Sequence, residues 1–277
     1  MGGLGCQVRS FNFGPDGLNS IEYMFILEQI KKSHPKKLST IILDLSAVRY
    51  GFKQNDSDRT RFFNSWSNVP AFLYEIWNLP RFRKARALMF LKYFASFLYE
   101  HSAVGSLHSV LISPIELYPT PEVLIRQRGY NPPEESYIVS TKQDEQLTKE
   151  VADLKHNIDG WKGWYAEMNQ TGHLARMRPV LEKAQGMGFR VGVVLAPAMT
   201  HYSYAGPLQE IFTQEMPDVP LWHYDDPDRW PEMFNGKYLS NKTHVNHQGA
   251  TLFSGMLAKD LCPWFRAGEL QTERSPG

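Results

Sequence analysis

Near the C-terminus the run Ser240-Asn241-Lys242-Thr243-His244-Val245-Asn246-His247-Gln248-Gly249-Ala250 sets an imidazole in a polar loop. His244 is a candidate catalytic imidazole, able to take a proton from water or a hydroxyl. Asn246 stands where a helix N-cap belongs, because its side-chain oxygen can accept from the free N–H groups of the first turn. Beyond it, Ala250, Phe253, Leu257 and Leu261 recur at helical spacing and mark one buried stripe. This pattern predicts a polar loop running into an amphipathic helix, with His244 just ahead of the helix start, where scaffolds often present functional residues. His247, on the first helical turn, is expected at the surface.

The elements that must carry this loop alternate in type. Val8 to Phe13 alternates in polarity and predicts a short strand, ended by the turn residues Asn12-Phe13-Gly14-Pro15-Asp16-Gly17. Asn19 with Glu22 forms a capping box for a helix through Ile30, which His34-Pro35 ends. Thr40-Ile41-Ile42-Leu43-Asp44-Leu45 is a run rich in β-branched and apolar residues and predicts a strand buried on both faces. Strand, helix and strand in this order make a βαβ unit, so a parallel sheet is expected. From Asp56 to Val104 the chain becomes helical and aromatic, and Pro80 divides it into a helical hairpin inserted at about residues 56–104. That hairpin reads either as a packed subdomain or as a wall over a cleft. Residues 112–141 hold five prolines and read as a long irregular excursion.

Lys142 to Ile158 reads as a polar helix, and Gly172 to Gly188 as an amphipathic one with Leu174, Met177, Val180, Leu181 and Ala184 inward. Phe189 to Pro197 predicts a second strand buried on both faces, Leu208 to Gln214 a short helix, and Val219 to Tyr224 a strand near the sheet edge, since Pro220 cannot donate to a ladder. One domain over residues 1–269 and a polar tail over 270–277 follow from the pattern.

Composition narrows the function classes. The 277 residues suffice for one large α/β domain. Thirty Lys and Arg against 29 Asp and Glu create no field of one sign, which argues against nucleic acid as a partner. Cys6 and Cys262 sit at opposite ends and suggest neither a disulfide framework nor a metal site, and the nine histidines show no ligand spacing. No metal or other cofactor is therefore expected. Met1 to Cys6 lacks the charged and apolar regions of a signal peptide, and no run approaches the ~20 apolar residues of a membrane span.

The block His244-x-Asn246-x-x-Gly249-Ala250-x-x-Phe253-Ser254-x-x-Leu257-Ala258-x-x-Leu261 resembles the last motif block of the SGNH/GDSL hydrolases. It is most similar to their membrane-associated bacterial branch, which includes alginate O-acetylation and lipoteichoic-acid D-alanylation proteins. The likeness covers residues 8–46, 189–197 and 219–261. It implies a three-layer α/β sandwich on a parallel flavodoxin-like sheet, an ester-linked acyl group or a glycan as substrate, and the cell envelope as the place of a full-length form. It implies that His244 is the base of a Ser-His-Asp triad. It also implies that Asn12, Gly14 and Gly17 match the turn that binds substrate, with the Gly17 N–H as oxyanion donor. Such a donor is worth about 2.7–4 kcal/mol in the transition state.

The chain departs from that family at three places. The triad acid lies three residues before the base in the family, and here Asn241 holds that position. An amide carries no charge to stabilise an imidazolium, and in trypsin-type triads the Asp→Asn change lowers kcat by about 10⁴. Asp225 or Asp226 can replace the acid only if their loop folds back. The Asn that supplies a second oxyanion donor is missing after Leu45, where Ser46-Ala47-Val48-Arg49 follow. The nucleophilic serine motif precedes the Asn12 turn by more residues than this chain has there.

The reading that results is an N-terminally truncated SGNH-like serine esterase or O-acyltransferase domain, degenerate and nearly inactive. Its first strand is missing, so self-association through exposed sheet edges is expected. The alternative, from another class, is a non-catalytic carbohydrate- or partner-binding module that stacks its aromatic side chains on sugar rings.

Overall fold

A computed structural model describes residues 20–33, 35, 38–44, 66, 68–78, 86–102, 145–146, 148–150, 153, 173–197, 209–210, 212–241 and 244–272. The expected strand Val8–Phe13 and the site residues Asn12, Gly14 and Gly17 lie outside these. The chain forms two compact units, one of Met1–Asp16, Lys36–Val48 and Pro121–Gly277, the other of Gly17–Pro35 and Arg49–Thr120.

The second unit is helical. Helix α1 spans Ser20–Ser33, one residue short of His34-Pro35. Helices α2 (Val69–Asn78) and α3 (Arg86–Glu100) flank Pro80 and pack together as the expected hairpin. Val69, Phe72, Tyr93 and Phe97 form its core, with Ile21 of α1, Leu73 and Phe90 packed on it. Ring contacts join Phe72 with Tyr93, 5.5 Å apart, and Trp66 with Phe97, 4.6 Å apart and edge-on, whereas Tyr74, Trp77 and Tyr99 are exposed.

The first unit holds the sheet. Strands β1 (Thr40–Asp44), β2 (Arg190–Leu195) and β3 (Leu221–His223) are all parallel, in the order β1-β2-β3. This is an α/β arrangement: helix α4 (His173–Gly186) runs into β2 and packs against it. Met177, Val180, Leu181 and Ala184 of α4 are fully buried, as their spacing requires. The chain leaves α4 through a left-handed Gly188 at φ 84°, with Gly188 N donating to Gln185 O and Phe189 N to Ala184 O. These two bonds satisfy carbonyls of the last helical turn, and glycine is suited there because a Cβ disfavours that backbone conformation.

Between its two neighbours, β2 is buried from Val191 through Leu195. Strand β1 differs from expectation: Leu43 alone is buried, because β1 stands at the edge of the three described strands. Strand β3 is half-buried, and its approach by Pro220 costs no pairing, since Pro220 offers its carbonyl to Val193 N at 2.9 Å.

The C-terminal part supplies a small antiparallel pair, β4 (Leu239–Asn241) with β5 (His244–Val245), and a long helix α5 (His247–Thr272) that continues through Pro263. Met233, Phe234 and Leu239 form a separate core beneath this pair, packed by Trp230, Val245, Leu252, Phe253 and Met256. On α5, Cys262 is buried and disulfide-bonded, which corrects the expectation from cysteine placement; Cys6 lies outside the described residues. Among the described residues no helix is long and apolar enough to cross a membrane.

Candidate functional site

The helix after His244 forms as its residue types predict, whereas Leu239–Asn241 and His244–Val245 pair as short antiparallel strands where a polar loop was expected. Asn246 is buried between β5 and α5. Its Oδ1 accepts from Gly249 N at 3.0 Å, its Nδ2 donates to Lys237 O at 2.6 Å, and its backbone N donates to Tyr238 O at 2.9 Å. One side chain thus caps the helix and ties its start to the preceding 3-10 turn, Gly236–Tyr238. Gly249 completes the clamp: a Cβ there would lie 2.2 Å from Tyr238 O, so only glycine fits without moving backbone. His244 is exposed on β5, and Asn241 is its register partner across the hairpin. The Ser240 hydroxyl donates to His244 O at 3.2 Å. His247 is exposed on the first turn of α5.

A second group of titratable side chains lies at the C-terminal ends of the parallel strands, where open α/β sheets bind ligands. Asp44 ends β1, His223 ends β3, and Tyr224-Asp225-Asp226 follow. Alternation along the extended chain divides these residues between two sides. Trp222 and Tyr224 turn to α5: the Trp222 ring meets Trp264 at 5.2 Å, and the Tyr224 hydroxyl donates to Asp260 Oδ2 at 2.6 Å. Burial and the Asp260 charge push the Tyr224 phenol up, so it stays a hydrogen-bond donor. His223 and Asp225 take the other side, with Nδ1 4.0 Å from Asp225 Oδ1.

The turn after them bends back over the imidazole. Asp226 Oδ1 accepts from Asp228 N at 2.8 Å, an Asx turn that Pro227 stiffens, and Trp230 N donates to Asp226 O. Trp230 Nε1 then donates to His223 O at 2.8 Å. This brings the exposed Arg229 back to His223, where its Nη1 donates to Nε2, while Gln209 Nε2 lies 3.1 Å from the same atom. A guanidinium has donors only, so Nε2 offers its lone pair and the ring proton sits on Nδ1, facing Asp225. Burial, then the Arg229 charge, lower the His223 pKa against the opposing pull of Asp226, so the ring is neutral at pH 7.

Asp225 is fully buried, and neither carboxylate oxygen has a hydrogen-bond partner. Burial foremost, with the charges of Asp226 and Asp44, lifts its pKa to about 7 against a lowering contact from backbone N–H. A buried carboxyl in that condition is rare in native structures and calls for a functional account. Of the two acidic residues after β3, Asp226 caps its own turn, and Asp225 stands beside His223.

The motif around His244 is legible from residue types, whereas the His223–Asp225 pair carries a weaker signal: an imidazole and a carboxylate two apart at the end of a strand. Among the described residues no cluster of three His, Cys, Asp or Glu is arranged to hold a metal ion. Comparison with models of protein families, with curated proteins and with solved structures finds no match to this chain.

Proposed function

We propose that this chain is an SGNH-type α/β domain for acyl-ester chemistry, a serine-esterase or O-acyltransferase scaffold with a degenerate triad. The reading includes a three-layer sandwich with a flavodoxin-like sheet, of which β1, β2 and β3 would be consecutive strands. The observation that carries it is the clamp around His244. Asn246 and Gly249 fix the β5–α5 corner for reasons of packing and hydrogen bonding, while His244 at that corner is exposed. A rigid element that presents an imidazole to solvent is what general-base chemistry requires. Asn241 in the acid position leaves His244 without an orienting carboxylate from that residue, which keeps triad turnover low.

The test is hydrolysis of p-nitrophenyl acetate and of an O-acetylated oligosaccharide by the full chain. Slow turnover above that of free imidazole at equal concentration is expected. A rate equal to that control overturns the reading, and glycan binding without turnover points instead to a carbohydrate-binding module. Esterase-like rates that vanish in His244→Ala show an intact triad and overturn the degenerate part.

A further inference from the structure

We propose that His223, positioned by Asp225, is the working base of this chain, acting on a water or sugar hydroxyl next to a bound acyl ester. This rests on the acyl-ester reading above but assigns the chemistry to a different imidazole. His223 has a carboxylate facing Nδ1, at 4.0 Å, and a setting at the C-terminal ends of parallel strands. The pair is long for a hydrogen bond, as catalytic contacts often are before ligand binds. Neither Asp225 oxygen has a hydrogen-bond partner, which leaves the carboxyl available to the ring it faces.

The groups around His223 come from several segments. Asp225 and Asp226 follow it in the chain, Asp44 stands at the end of β1, Arg229 reaches back from the turn, and Gln209 comes from the helical residues ahead of β3. Arg229 occupies Nε2 in the free protein. Because its side chain is exposed, it can leave when a ligand enters and lay its remaining donors on an acyl carbonyl. Nε2 then takes a proton from water while the water oxygen bonds to the acyl carbon. The ester C–O bond breaks, and the departing alkoxide recovers that proton, giving one acid and one alcohol. With a sugar hydroxyl in place of water, the same steps transfer the acyl group. No side-chain nucleophile is needed.

The experiment compares wild type with His223→Gln, His244→Gln and Asp225→Asn on p-nitrophenyl acetate from pH 5 to 9. His223→Gln is expected to lower kcat/KM by about 10²-fold, the contribution of a positioned base, and by more than His244→Gln does. Asp225→Asn is expected to lower the plateau and to remove the part of the acid limb that follows ionisation of Asp225 near pH 7, since the imidazolium formed in the transition state loses its carboxylate. A purely structural role would leave that limb in place.

Loss of activity in His244→Gln with His223→Gln unchanged overturns the inference and leaves the acyl-ester reading standing. An unaltered pH profile in Asp225→Asn overturns the positioning role. Wild type at the free-imidazole rate overturns the acyl-ester reading and this assignment with it. Should His223→Gln fail to fold, diethyl pyrocarbonate modification of wild type with mass-spectrometric mapping decides. Inactivation must follow ethoxyformylation of His223, and inactivation that follows His244 refutes the assignment.

Discussion

Replacing Asp225 by Asn should stabilise this protein, and the gain should depend on pH in a defined way. Asp225 is fully buried with no hydrogen bond to either oxygen, and its pKa rises from 3.8 to about 7. At about 1.4 kcal/mol per pH unit, holding that carboxyl charged in the fold costs about 4 kcal/mol. The folded pKa lies above the unfolded one, so the fold binds the proton more tightly than the unfolded chain does. The cost is absent below pH 3.8, accumulates as pH rises from 3.8 to about 7, and is constant above that. Asparagine is nearly isosteric and does not titrate, so it removes the cost without opening a cavity. Urea denaturation of both proteins at pH 4 and pH 8.5 measures the difference. The variant should gain about 4 kcal/mol at pH 8.5 and well under 1 kcal/mol at pH 4. Equal differences at the two pH values, or a less stable variant at pH 8.5, would refute the reasoning. A gain in stability joined to a loss of ester turnover would mark Asp225 as a residue that serves chemistry at the expense of the fold.

Other outcomes follow from the corner ahead of α5. Asn246→Ala removes the acceptor for Gly249 N and the donor to Lys237 O, and should cost about 2–3 kcal/mol in thermal or urea unfolding. Asn246→Asp keeps the acceptor alone and should cost about half as much. Gly249→Ala drives a Cβ to within 2.2 Å of Tyr238 O and should cost at least about 2 kcal/mol. Gly255→Ala, on the same helix with nothing within 4 Å of its Cβ, should instead stabilise by about 0.5–1 kcal/mol. A similar effect of both glycine substitutions would show that the clamp is not tight.

The chain sequence by itself determined the local elements of this protein. Residue period placed α4 and its four buried side chains, the aromatic run around Pro80 predicted the α2–α3 hairpin, and Asn246 announced the start of α5. These are short-range matters, set by side-chain spacing, by the hydrogen-bond needs of a helix end and by the conformational limits of proline and glycine. Burial of β1 was misjudged because an apolar run states what a strand tolerates, and only its place at the edge of the described strands decides how much of it is covered.

The burial that sets the chemistry of Asp225 was likewise a tertiary decision. Asn241 and His244 are three apart and are register partners on adjoining strands, a local arrangement. Asp225 is a nondescript residue of a Tyr-Asp-Asp-Pro run until the sheet buries it, the Asx turn at Asp226 folds Arg229 back to His223, and Asp44 arrives from β1. Desolvation and long-range charge set a carboxyl's behaviour, and neither exists before strands distant in sequence are brought together.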